Sequence, residues 1–162
     1  MACRAGSDST DREALGMETP APRTPLTILL IEDNPVDAAI IRRVLDTHDF
    51  LYYLRIMENG ERALRFFEQL AQEEHGIPPD ILLLDLTLPQ VSGQELLQRV
   101  KAIPACRHMR IVVVTAYNYL TTQQEARQLG ADAFFTKPTT FPAFMQLGDL
   151  IKTAVVDTTQ GK

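Results

Sequence analysis

Cysteine, positive charge and long apolar runs are all scarce in this sequence of 162 residues. The two cysteines, Cys3 and Cys106, are too few and too far apart for a disulfide framework or a zinc site. No apolar run approaches the length of a membrane span, and no signal-peptide core lies near the amino terminus. We therefore expect a reduced, cytoplasmic protein with no membrane partner.

Basic residues are outnumbered, with 16 Lys and Arg against 21 Asp and Glu and a net charge of −5. A sequence-independent nucleic-acid binder needs a basic face, so nucleic acid is not an expected partner. Hydrophobic residues make up 45% of the chain and charged residues 23%, which is typical of a globular protein. The length suits one domain with a single core.

The two ends of the chain differ in composition from its middle. Residues 1–25 are dominated by Ser, Thr, Asp, Gly and Pro without a helical or strand period, which predicts a disordered tail. We expect the folded domain to span residues 26–156 and residues 157–162 to fray. No internal repeat or second domain is indicated.

Five short apolar runs alternate with segments of helical periodicity. The predicted strands are residues 26–31, 53–57, 81–84, 111–114 and 133–136, and a helix is predicted after each of them. Runs this short, apolar on both faces and separated by helices, are typical of a parallel sheet covered on both sides. The sequence therefore predicts an α/β fold.

Four of the five predicted strands end in polar residues: Glu32–Asp33, Asp85, Thr115 and Lys137. The carboxyl ends of parallel strands meet at one edge of the sheet, where open α/β sheets bind ligands. Taken singly, each residue has an ordinary explanation as a helix-dipole partner, a strand-ending group or a solvated charge. Their joint occurrence at the strand ends indicates a functional site at this edge of the sheet.

The chemistry of this set suits phosphoryl transfer. Close carboxylates repel one another unless a cation lies among them, and oxygen-only donors suit Mg²⁺. Asp85 could then act as a carboxylate nucleophile that carries an aspartyl phosphate. Mg²⁺ and Lys137 would neutralise the transferred charge, and the Thr115 hydroxyl could donate to a phosphoryl oxygen.

The order and spacing of the motifs match a known family. The motifs are Glu32–Asp33, Asp85 with Pro89 and Gly93, Thr115–Ala116, and Lys137–Pro138. The chain from about Leu26 to Val155 resembles the receiver domain of two-component response regulators. This resemblance implies a flavodoxin-like (βα)5 doubly wound sheet of strand order 2-1-3-4-5, and a signalling module rather than an enzyme.

The resemblance also implies roles for the site residues. Asp85 would accept a phosphoryl group from a histidine kinase or a phosphotransfer protein. Asp33, Asp85 and the backbone carbonyl of Thr87 would bind Mg²⁺ directly, and Glu32 would act mainly through water. The Lys137–Pro138 peptide bond would be cis.

Loop sequences narrow the resemblance to single-domain regulators that serve bacterial phytochrome kinases. They are the Asn34–Asp37 continuation, the long connection before Pro78, and the Leu84–Pro89 stretch. Such a kinase is therefore an expected donor. With no output domain after Lys162, we expect the signal to pass to another protein or to act through a homodimer.

In the family, a Thr on the fourth strand and an aromatic residue on the fifth form a switch. Here they are Thr115 and Phe134, and Phe lacks the hydroxyl of the more common Tyr. Phe134 is therefore either a switch read by packing alone or a core aromatic. Tyr117 and Tyr119, in the loop after Thr115, are candidates for an exposed surface that a partner reads.

The sequence argues against three other functions. A phosphatase of the haloacid-dehalogenase kind requires a second Asp two residues after the first, where this chain has Thr87. A flavodoxin-type electron carrier requires a hydroxyl- and Gly-rich loop after the first strand, where this chain has Glu32–Pro35. The intact acidic set argues against a receiver that cannot be phosphorylated.

Overall fold

The computed structural model describes residues 24–159, and strands alternate with helices throughout. The strands are β1 Leu26–Ile31, β2 Tyr52–Met57, β3 Ile81–Leu84, β4 Arg110–Thr115 and β5 Ala133–Thr136. The helices are α1 Pro35–Thr47, α2 Gly60–Gln72, α3 Gly93–Lys101, α4 Leu120–Gln128, α5 Phe141–Phe144 and α6 Gln146–Thr159, with a 3₁₀ turn at Pro104–Cys106. Most of the predicted tail, residues 1–23, and residues 160–162 of the predicted frayed end lie outside the described residues.

All five strands are parallel and lie in the order β2-β1-β3-β4-β5, as predicted. The order reverses between β1 and β3, because the chain builds outward from β1 first on one side and then on the other. This reversal is the switch point at which doubly wound sheets leave a crevice outside the strand ends. Asp85 directly follows β3 and therefore lies at that crevice.

Side chains cap the starts of three helices. The Asn34 side chain accepts a hydrogen bond from the N–H of Val36 at 2.9 Å, and Pro35 begins α1. The side chains of Asn59 and Ser92 cap α2 and α3 in the same manner. Each cap starts a helix soon after a strand end, which fixes the short loops around the crevice.

The core lies on both faces of the sheet. Alternate residues of each central strand point to opposite faces, so the fully buried run of β3 contributes to two apolar clusters. One cluster packs β3 and its neighbours against α2 and α3, and the other packs them against α1, α5 and α6. None of the helices in residues 24–159 is long and apolar enough to cross a membrane.

The structure differs from the sequence-based expectation at the last helix. One helix is predicted after the fifth strand, but Met145 separates α5 from α6, and α6 continues to Thr159. Pro142 lies in the first turn of α5, where its missing N–H costs nothing, so the short segment can form. Residues 157–159, which were expected to fray, are helical in backbone.

The expected cis peptide bond at Lys137–Pro138 is wrong, because no peptide bond among the described residues is cis. A bond before proline favours the trans form by about 0.5–1 kcal/mol unless its surroundings select the other. In the trans form the Lys137 N–H already donates to the Thr115 carbonyl at 2.8 Å. The lysine side chain reaches the strand edge from this position without a cis bond.

Candidate functional site

Backbone pairing brings the predicted polar residues together at the carboxyl edge of the sheet. The Asp85 N–H donates to the carbonyl of Ile31 at 3.1 Å, which places Glu32, the next residue of the chain, beside Asp85. On the other side, the Lys137 N–H donates to the carbonyl of Thr115 at 2.8 Å. Residues far apart in sequence thus line one crevice, as the topology predicts.

Glu32, Asp33 and Asp85 form an acidic cluster in which one carboxylate oxygen of each residue lies within 4.8 Å of the others. Glu32 and Asp85 are 1% and 5% exposed, whereas Asp33 is exposed to solvent. Like charges this close disfavour their ionised forms unless a cation compensates them. The cluster therefore needs positive charge.

Lys137 supplies one positive charge from within the chain. Its ammonium donates to Glu32 Oε2 at 2.6 Å, to Asp37 Oδ2 at 2.8 Å and to Asp85 Oδ2 at 2.8 Å. An ammonium has three N–H donors, so each of them has a carboxylate partner. The side chain is 8% exposed, and Lys137 is thus a buried counter-charge rather than a solvated surface residue.

These contacts move two pKa values. Burial alone would lower the pKa of the Lys137 ammonium, but the hydrogen bonds to the Asp37, Asp85 and Glu32 carboxylates outweigh burial and raise that pKa above its usual range. Burial raises the pKa of Glu32, and the hydrogen bonds from Lys137 and the Asn34 N–H offset only part of the rise. Lys137 therefore carries its positive charge, and any further cation would stabilise the ionised form of Glu32.

The loop after β3 holds the second oxygen of Asp85. The Thr87 N–H donates to Asp85 Oδ1 at 2.9 Å. Gly93, which begins α3, donates its N–H to the Leu86 carbonyl at 3.1 Å. A Cβ at Gly93 would overlap the backbone of Leu86 and Asp85, so only glycine permits this close approach. The predicted role of the Thr87 carbonyl as a metal ligand stays a prediction.

Thr115 and two tyrosines lie on the side of the site that leads toward α4. Thr115 is fully buried, and its Oγ1 accepts a hydrogen bond from the Tyr117 N–H at 3.4 Å. Tyr117 and Tyr119 are 50% and 65% exposed, and their rings stack with centroids 6.2 Å apart. The tyrosines are exposed as expected, and their role in reading a partner stays a prediction.

Phe134 lies in β5, level with Val113 of β4, and is half-buried. It packs against the apolar cluster that also contains α2 and α3. This packing is that of an aromatic residue at the margin of the core. Its proposed switch role stays a prediction.

Asp37 is the site residue that the sequence analysis did not identify. Its position in the first turn of α1 suggested only a favourable interaction with the helix dipole. The signal that could have identified it is spacing, because Asp37 follows Asp33 by four residues, about one helical turn. A carboxylate one turn beyond the strand end can face the same crevice.

The acidic cluster fits the Mg²⁺ that the family resemblance implies. Its donors are carboxylate oxygens alone, which suit a hard cation. Asp33 is exposed, and no hydrogen bond to it occurs within the described part of the chain. The donor set is thus both chemically suitable and accessible from solvent.

Comparisons with known proteins agree with this geometry. The family model described as the response regulator receiver domain matches residues 28–147. Response regulator Rcp1 of Synechocystis sp. is 30% identical over 139 residues, with 74% of this chain and 95% of Rcp1 covered.

Two solved structures resemble this fold. The Mn²⁺-bound form of response regulator Rcp1 aligns at a TM-score of 0.69 and 28% identity, over 80% of this chain and 93% of that chain. The phosphorylated cyanobacterial phytochrome response regulator RcpA aligns at a TM-score of 0.70 and 24% identity, over 80% and 92%. The second likeness supports the fold alone.

Proposed function

The chain belongs to the response regulator receiver domain family, and on this premise we propose that it is a signalling module that accepts a phosphoryl group on Asp85. The observation that supports this proposal most directly is the contact between Asp85 and Lys137. The buried carboxylate lies 2.8 Å from the lysine ammonium at the margin of the acidic cluster. An acceptor and the charge that would stabilise its product are therefore adjacent.

The donor is a phosphorylated histidine of a histidine kinase or a phosphotransfer protein. A carboxylate oxygen of Asp85 forms a bond to phosphorus while the phosphorus–nitrogen bond of the donor breaks, and the electron pair of that bond stays on the imidazole. Lys137 stabilises the charge of the arriving phosphoryl oxygens. Thr115 can donate its hydroxyl proton to one of them, because its oxygen already accepts the Tyr117 N–H.

Asp33, Asp85 and Glu32 are the side chains proposed to hold Mg²⁺, with the Thr87 carbonyl as a further ligand. When bound, Mg²⁺ would neutralise charge on the transferring phosphoryl group. The likeness to the Mn²⁺-bound form of Rcp1 supports the binding of a divalent cation. Among residues 24–159, Lys137 is the cation that contacts Glu32 and Asp85, so a bound Mg²⁺ would add a second positive charge to the cluster.

The signal leaves the site through the loop after β4. The hydrogen bond from the Tyr117 N–H to Thr115 Oγ1 links this loop to the site. When the Thr115 hydroxyl turns toward a phosphoryl oxygen, this bond weakens and the stacked pair Tyr117 and Tyr119 is released. A ligand shifts a population only if it binds the two states differently, and the phosphoryl group meets that condition here. Phe134 repacks at the margin of the core.

The partners follow from this role. A phytochrome-type histidine kinase is the proposed donor, because the loop sequences resemble those of regulators that serve such kinases. Phe141, on the short helix α5, is 42% exposed and would contribute to a homodimer contact, whereas Phe144 is buried. A separate downstream protein, in the cytoplasm, would read the exposed tyrosines.

A phosphate-labelling experiment tests whether Asp85 is the acceptor. Acetyl phosphate with Mg²⁺, or a phosphorylated kinase, is expected to add one acid-labile phosphate to the parent protein. Asp85→Asn should reduce labelling at least a hundredfold, because the amide is a poor nucleophile. Mass spectrometry and phosphate release measure the modification.

Asp49→Asn is the matched control for this experiment. Asp49 is exposed at the far end of α1 and has φ 54°, a backbone conformation that asparagine adopts readily. The control variant should label like the parent. Equal labelling of Asp85→Asn and the parent would refute the proposed function.

A further inference from the structure

Asp37 contacts the Lys137 ammonium but does not belong to the acidic cluster. Its Oδ2 lies 2.8 Å from the lysine Nζ, and its side chain is 24% exposed. It lies in the first turn of α1, where the helix dipole favours a negative charge. The backbone that carries this carboxylate is therefore positioned by α1, whereas Glu32 and Asp85 are positioned by the strand ends.

The three hydrogen bonds of Lys137 differ in what happens to them when the site is filled. Two of them end on Glu32 and Asp85, the cluster oxygens that a divalent cation or a phosphoryl group would engage. The third ends on Asp37, which stands outside that cluster. Of the three partners, Asp37 is the one that can keep the ammonium in both states of the site.

We propose that Asp37 is a positioning residue, which holds the Lys137 ammonium beside Asp85 while the other two hydrogen bonds are exchanged. The proposal rests on the proposed function of phosphoryl acceptance. A lysine side chain is a flexible four-carbon stem with a compact charge at its end. A carboxylate carried on the first turn of α1 restricts that charge to a small region beside Asp85, which orients it for the transfer.

Charge alone predicts the opposite effect of removing Asp37. Asparagine at this position would delete a negative charge near an arriving anionic group, and by Coulomb's law that change should speed acceptance. Loss of the positioning contact with Lys137 should instead slow acceptance of phosphate. The sign of the effect therefore separates the two roles.

The kinetic experiment compares the full-length parent with Asp37→Asn and Asp37→Glu, using acetyl phosphate and Mg²⁺. The asparagine variant is expected to accept phosphate about tenfold more slowly at saturating donor, since the ion pair is replaced by a weaker hydrogen bond to a neutral amide oxygen. The glutamate variant keeps the charge and can still reach the lysine, so it should recover to within about threefold of the parent. Asp49→Asn is the control for charge removal at a distance.

Equal or faster acceptance by Asp37→Asn would overturn the positioning role while leaving the proposed function intact. A parent protein that does not label at Asp85 would overturn the proposed function instead. The two failures are thus distinguishable from the same set of samples.

A second measurement does not depend on phosphorylation. Nitrogen-15 NMR of the Lys137 ammonium, in Mg²⁺ alone and in Mg²⁺ with beryllofluoride, is expected to show slow proton exchange in the parent and fast exchange in Asp37→Asn. A structural effect of the substitution would alter the melting temperature, which we expect to be unchanged within a few degrees. Fast exchange in the parent with Mg²⁺ bound would overturn the proposal.

Discussion

At the scale of single residues, the carboxylates of the site are unequally compensated. Glu32 and Asp85 each accept one hydrogen bond from the Lys137 ammonium and one from a backbone N–H. Asp33 is exposed and lies within 4.8 Å of both, and no hydrogen bond to it occurs among residues 24–159. Its charge repels the other two, which makes it the carboxylate most dependent on an added cation.

Asp33→Asn should therefore change stability in opposite directions with and without Mg²⁺. In EDTA the variant is expected to melt a few degrees above the parent, because one repulsive charge is gone. The parent should gain about 1.4 kcal/mol when free Mg²⁺ is ten times its Kd, and the variant should gain little. Thermal unfolding in EDTA and in Mg²⁺ measures both effects, and an equal Mg²⁺ response of the two proteins would contradict the ligand assignment.

At the scale of elements, the approach of α3 to the end of β3 determines the shape of the crevice. Gly93 begins α3 directly against the backbone of Leu86 and Asp85. The Ser92 side chain caps α3, and the apolar face of α3 packs into the core. The start of α3 and the Asp85 backbone are therefore in direct contact, so a shift of one should move the other.

Gly93→Ala should destabilise the protein by about 2 kcal/mol or more, because the methyl group meets backbone atoms that cannot rotate away. Acceptance of phosphate at Asp85 should fall as well, since the Asp85 carbonyl must shift. Gln98→Ala, on the exposed side of the same helix, should change stability by less than about 0.5 kcal/mol. Urea unfolding of the two variants checks the comparison, and a stable Gly93→Ala protein would contradict the tight contact.

The sequence predicts most elements because their signals are local. The run before Asp85 is apolar at every position and is fully buried as β3, and the helix predicted after the first strand forms as α1, with Asn34 as its cap. The ion pair of Asp37 with Lys137 was not predicted, because it joins residues 100 positions apart through a geometry that only the assembled fold creates. The break at Met145 was likewise not predicted.

At the scale of the whole molecule, Lys137 joins parts of the chain that are distant in sequence. Its three carboxylate partners are 52, 100 and 105 residues away, directly after β3, in α1 and directly after β1 respectively. Contacts of such long range form only when the complete sheet is assembled. The charge state of this one ammonium therefore affects the stability of the entire fold.

The pH dependence of stability follows from the raised pKa of Lys137. A lysine whose pKa is higher in the folded state contributes stability that is fully present below its ordinary value of 10.5 and is lost as pH rises through the folded-state pKa. The difference in free energy of unfolding between the parent and Lys137→Met should be constant from about pH 8 to pH 10 and shrink above that range. Urea titrations of both proteins in EDTA, at a series of pH values, measure this difference. A difference that grows at alkaline pH would contradict the ion-pair network.

The strand order has a consequence for how the protein is made. Translation produces Asp85 and its neighbouring acids first, and the lysine that contacts them only after β5, the last strand of the sheet. A nascent or truncated chain that stops before Lys137 carries the acidic cluster without this ammonium. If Asp85 accepts phosphate as proposed, chains that end before Lys137 should be poor acceptors, and only finished chains should compete for phosphate.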